Sequence, residues 1–95
     1  MMDFEEALEL VRSSVEGVLE KPAQVNRDSE LIGQNALLDS MKLVELCLSL
    51  EDLADDRDFE FDWTSESALS RSRSMFRTVE CLAREFIRQQ EEQSP

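Results

Sequence analysis

Phe4, Leu8, Val11, Val15 and Val18 recur at intervals of four, three, four and three residues, and Val79, Leu82, Ala83, Phe86 and Ile87 recur at i, i+3, i+4, i+7 and i+8. Each set follows one side of a 3.6-residue helix and cannot follow one face of a strand, where the period is two. Two amphipathic helices therefore bracket the chain, each needing a partner for its apolar stripe. Two glycines and two prolines in 95 residues are too few for the repeated turns of an antiparallel sheet. With 41% apolar residues, the chain has enough to bury one modest core. The expected fold is all-α: a four-helix bundle in a single domain over residues 1–95, ordered over about 3–88 and fraying over 89–95.

Local signals place the elements between the two stripes. Asp3 caps the first helix, Glu6 three residues on completes a capping-box pattern, and Pro22 stops the helix. Lys21 to Asp39 reads as a long connection carrying Pro22, Asn26, Asp28, Ser29, Gly33 and Asn35. Loops of this length in a compact domain are uncommon and usually functional. Val25, Leu31, Ile32, Leu37 and Leu38 are apolar enough to pin it across the open end of the bundle. The second helix begins at Ser40, or one residue to either side, and ends in the acidic run Asp55-Asp56-Arg57-Asp58. Met41, Val44, Leu48 and Glu51 fall on one side of it, and Leu43, Leu46, Cys47, Leu50, Leu53 and Ala54 spread around the rest. Phe59, Phe61 and Trp63 alternate with Glu60 and Asp62, as an extended segment or a loop anchored by core aromatics. A short or irregular third helix falls around Glu66–Ser70, with Ala68 and Leu69 inward, and Thr78 caps the last helix.

Charge and missing residue types narrow the chemistry. A net charge of −12 excludes nucleic acid, whose phosphates need Lys and Arg to displace counterions. It favours partners with basic surfaces, reached by electrostatic steering. No histidine is present, which removes the commonest general base and metal ligand. Cys47 and Cys81 form no CxxC pair and read as buried thiols of a reducing compartment. Asp56, Asp58 and Glu60 have calcium-loop spacing, but Phe61 stands where the loop needs glycine and Ser67 where it needs glutamate, so no metal site is expected. No apolar run has membrane-spanning length, and the N-terminus is acidic, so a cytoplasmic protein without stable membrane insertion is expected.

A single serine stands where the long polar connection becomes a helix, in Leu37-Leu38-Asp39-Ser40-Met41. Read locally, Ser40 is an N-cap. Read over the whole chain, the order of elements from Phe4 to Ile87 resembles the acyl carrier protein family. The residues that carry the resemblance are Leu38-Asp39-Ser40-Met41, then Val44-Glu45-Leu46, then Leu50-Glu51-Asp52, with Thr78-Val79 opening the last helix. The resemblance implies that Ser40, beside Asp39, carries 4′-phosphopantetheine donated by coenzyme A, whose thiol holds cargo as a thioester. It implies a monomeric carrier that is not itself an enzyme. Its partners would be a phosphopantetheinyl transferase, a loading ligase and acyltransferases with basic docking surfaces. Met41, Val44 and Leu48 would form the apolar centre of partner recognition, with Glu45, Glu51 and Asp52 as its acidic part.

Two departures from the family pattern point to a specialised lipid, polysaccharide or secondary-metabolite pathway instead of the main fatty acid synthesis carrier. Lys42 stands where such carriers usually have an acid, and Asp55 to Ser74 is longer and richer in aromatics and arginine. The approach to Ser40 is also similar to D-alanyl and other aminoacyl carriers. Outside carriers, the alternative is an acidic helical adaptor that binds a basic protein through the Glu45–Asp52 face, with Ser40 only capping.

Overall fold

A computed structural model describes residues 2–19, 25–33 and 36–93. Four helices lie among them: α1 (Phe4–Leu19), α2 (Ser40–Asp55), α3 (Glu66–Met75) and α4 (Val79–Gln93). α1 packs on α4 and on α2, and α3 packs on α4. The predicted Pro22 stop lies outside the described residues. Val11, Val15, Leu31, Leu46, Leu50, Val79, Leu82 and Phe86 are fully buried, each contributing about 1.5–3 kcal/mol of apolar transfer. On α1 the buried line is Ala7, Val11 and Val15, while Phe4, Leu8 and Val18 flank it half-buried. Asp3 caps α1 as expected, its Oδ1 accepting from the Glu6 amide at 2.8 Å. The capping box is only half formed, because the Glu6 carboxylate lies 3.6 Å from Arg57 of the α2 exit.

Beyond α2 the chain turns through Asp58, which takes a left-handed φ of 63°. The Phe59 amide bonds back to the Ala54 carbonyl at 3.1 Å, sending Phe59 into the core. Phe59 and Phe61 then pack on Phe86, with ring centroids 5.0 and 5.6 Å away. The alternate residues, Glu60 and Asp62, present their backbone to α4. The Gln93 amide accepts from the Glu60 N–H (2.9 Å) and donates to its carbonyl (2.8 Å). Gln89 does the same for Asp62, at 2.6 and 2.8 Å. Four residues of helix rise about 6 Å, close to the roughly 6.6 Å of two extended residues. The two side-chain amides thus stand in for a neighbouring strand, satisfying backbone groups that a lone extended segment leaves open.

That contact corrects the expected fraying from Gln89: α4 continues to Gln93, and Gln89 is only 3% exposed. α3 also departs from expectation. It runs past Ser70 to Met75 as a regular helix, the shortest of the four. Ser65 caps it, its Oγ accepting from the Ala68 amide at 3.1 Å. Asp62 in turn holds Ser65, accepting from its amide and hydroxyl, and these bonds lower the Asp62 carboxyl pKa. Ala68 and Met75, two turns apart, take the inner positions, so Leu69 points outward at 61% exposure. Cys47 is buried as expected, but Cys81 is only half-buried.

Candidate functional site

The approach to Ser40 is tied to the start of α4. Ser29 and Arg27 carbonyls accept from the Val79 and Glu80 amides at 3.1 and 2.9 Å, and the Leu31 amide donates to the Arg77 carbonyl at 3.3 Å. Thr78 Oγ1 accepts from the Cys81 amide at 3.2 Å, the expected cap. The loop thereby takes up donors that the first turn of α4 cannot satisfy itself. Arg27 also pairs with Glu80, and both Arg27 and Arg84 lie over the Phe4 ring. Val25, Leu31 and Leu38 are buried, with Ile32 and Leu37 half-buried, as the reading of the connection expected. Leu38 anchors the chain one residue before the helix entrance.

At that entrance the cap is Asp39, not Ser40. Asp39 has extended backbone, and its Oδ1 accepts from the Lys42 amide at 2.9 Å. Ser40 is the first helical residue, exposed, and its hydroxyl makes no hydrogen bond among the described residues. The Ser40 and Met41 amides point along the start of the helix without acceptors among the described residues. No acid occupies that first turn. An exposed hydroxyl therefore sits at the positive end of α2, where a phosphate would meet free N–H groups and a favourable dipole.

Stability separates the two roles. Asp39→Ala should cost about 1 kcal/mol in urea unfolding. Ser40→Ala should change stability by less than about 0.5 kcal/mol. The reverse order would return the capping role to Ser40.

The outer side of α2 continues from this entrance. Met41, Val44 and Leu48 are 76, 43 and 51% exposed, and with Leu69 they are the exposed large apolar residues of the described chain. Their i, i+3, i+7 spacing makes one ridge. Glu45, Glu51 and Asp52 are exposed alongside it, so the six residues read from the sequence share one exposed face. Lys42 Nζ lies 3.4 Å from Glu45. On the opposite side Leu46, Cys47, Leu50 and Ala54 are buried. Burial, then the charge of Glu51, pushes the Cys47 thiol up to about 12, so it stays protonated and unreactive.

Sequence reasoning missed what adjoins this face. Trp63 is half-buried, and its indole N–H donates to Glu51 Oε2 at 3.0 Å. Between the end of α2 and residues 59–64 lies an open groove of about 650 Å³. Its walls include Glu51, Asp52 and Asp55 on one side and Glu60, Asp62 and Trp63 on the other. Strict alternation gave no signal for this groove, since it turns neighbouring side chains to opposite sides, whereas Glu60, Asp62 and Trp63 line the groove together.

Comparison of the chain with protein-family models, with curated proteins and with solved structures returned no match. No helix among the described residues is long and apolar enough to cross a membrane.

Proposed function

We propose that this protein is a carrier of the acyl carrier type, bearing 4′-phosphopantetheine on Ser40 and presenting thioester-bound acyl cargo to partner enzymes of a specialised cytoplasmic pathway. The observation that carries this reading is the division of labour at the start of α2. Asp39 supplies the cap, which leaves the Ser40 hydroxyl exposed and unbonded at a helix end suited to phosphate. A modifying transferase needs such a hydroxyl; a structural serine does not. The arm itself supplies the thiol that holds the cargo. This chain's own part is to hold the phosphate end at Ser40 and to offer the face of Met41, Val44, Glu45, Leu48, Glu51 and Asp52 to successive partners.

That face combines an apolar centre with acids on both sides, which suits brief, orientation-specific docking on basic surfaces. The individual exposed charges contribute little affinity, but together they set encounter rate, and their effect should weaken with salt. A fluorescent coenzyme A analogue and a broad-specificity phosphopantetheinyl transferase should label the wild-type chain once and leave Ser40→Ala unlabelled. Equal labelling of the two would sink the proposal.

A further inference from the structure

Three of the chain's ten bases, Arg71, Arg84 and Arg88, line one pocket on the seam between α3 and α4, although the net charge is −12. The pocket measures about 360 Å³, inside the range of about 300–1,000 Å³ usual for small-molecule sites. No residue of α2 lines it. Among the described residues Glu85 is the one acid in its wall, and that carboxylate is already engaged. Its Oε2 accepts from Arg71 of α3 at 3.1 Å and from Arg88 of α4 at 2.8 Å. One acid thus gathers two guanidiniums from two helices. With Arg84 the wall holds three bases against one acid, a net of +2.

Arg71 and Arg88 stand between two openings on this seam, and only one of them suits an anion. On one side they share a smaller pocket with Asp62 and Glu92, where an anion would meet two further carboxylates. On the other side those acids are replaced by Arg84, and Met75 and Cys81 add apolar wall. The Arg71 fork is not fully satisfied by its own chain. Nη1 donates to Ser67 and Nη2 to Glu85, but Nε is buried without an acceptor among the described residues. An unpaired buried donor is costly and calls for an explanation. Arg84 is exposed, and its bond to Glu80 is long at 3.4 Å, so it can turn to a stronger acceptor.

We infer that the pocket between α3 and α4 binds a small organic anion, with a carboxylate or phosphate head among Arg71, Arg84 and Arg88 and an apolar body against Met75. Guanidinium forks match the oxygens of both heads. The apolar body follows from the rest of the chain. At −12 the protein repels anions at long range. A bare ion on partly solvated arginines gains too little to offset that, and apolar burial on Met75 supplies the remainder. The site is separate from Ser40 and needs no arm.

Naphthoate and naphthyl phosphate, titrated into the full-length protein, test this by NMR of the arginine Nε–H groups and of the Met75 and Cys81 amides. At least one probe should give saturable shifts there, and the tighter of the two identifies the head. Naphthamide, which lacks the charge, and inorganic phosphate, which lacks the apolar body, should each bind at least about tenfold more weakly. Arg84→Gln should weaken binding about fivefold. Arg73→Gln removes the same charge from an exposed position of α3 outside the pocket and should change it by less than about twofold. The bound probe should also slow alkylation of Cys81, which lines the pocket. The inference is overturned by no saturable shift with either probe, by equal binding of naphthamide or inorganic phosphate, by equal weakening in Arg73→Gln, or by unslowed alkylation at saturation. Each of these leaves the labelling of Ser40 unaffected, so the two proposals fail separately.

Discussion

Phe86→Ala should lower stability by about 3–5 kcal/mol, against a total of roughly 5–15 kcal/mol for a domain of this size. Phe86 is fully buried in the middle of α4, and Phe59 and Phe61 both pack on its ring. Truncation leaves a cavity and removes one edge-to-face and one tilted aromatic contact, each worth about 0.5–1.5 kcal/mol beyond area burial. The segment that carries Trp63 should loosen with it, because its remaining hold on α4 is through the Gln89 and Gln93 amides. Urea unfolding followed by Trp63 fluorescence and by far-ultraviolet circular dichroism should show a midpoint far below that of the wild type. A loss under about 1 kcal/mol would mean that the aromatic cluster does not organise this core.

Glu85→Ala should be the next most damaging change. Glu85 is 8% exposed and stands between two helices. Its carboxylate accepts from Arg88 of its own helix at 2.8 Å, from Gln89 at 2.8 Å, and from Arg71 of α3 at 3.1 Å. Removing it takes the carboxylate partner from Arg71, which keeps only its bonds to Ser67, and leaves the Gln89 amide short of a partner. The two arginines are partly solvated, so the cost should fall at the low end for a broken buried pair, about 2–3 kcal/mol.

The same carboxylate gives a pH signature. Burial works to raise its pKa, but the hydrogen bonds from Arg88 and Gln89, the Arg88 charge and the bond from Arg71 outweigh burial and hold it below the ordinary 4.5. A lowered pKa means that the unfolded chain binds the proton more readily. The stabilisation is therefore complete above about pH 5 and is lost as pH falls through 4.5 toward the folded value. Stability of Glu85→Gln should depend less steeply on pH below about 5 than that of the wild type. Parallel slopes would remove Glu85 from the acid response.

How much of this was legible in the sequence follows from how local each cause is. The stripes of α1 and α4 declare themselves because their burial repeats every turn, and Phe86 falls on one of them. The outward position of Met41, Val44 and Leu48 followed only from the resemblance, since apolar residues spread around all of α2, and it is the structure that gives the inner side to Leu46, Cys47, Leu50 and Ala54. α3 was read too short because its serines and arginines offer little periodic signal. What sustains it is the Ser65 cap, the burial of Ala68 and Met75, and the long-range bond from Arg71 to Glu85. The ordered end of α4 was hidden because Gln89 and Gln93 look like a polar tail until the backbone of residues 60–62 lies beside them. At the site, the local pattern assigned the cap to whichever polar residue came last before the helix. That reading gave the cap to Ser40, and the extended backbone of Asp39 moves it one residue earlier.

The most direct test of the carrier account is the intact mass of the full-length protein after incubation with coenzyme A and a broad-specificity phosphopantetheinyl transferase. The account predicts a gain of one phosphopantetheine in the wild type and in Asp39→Asn, and none in Ser40→Ala. An unchanged wild-type mass, or a gain that survives Ser40→Ala, would contradict it.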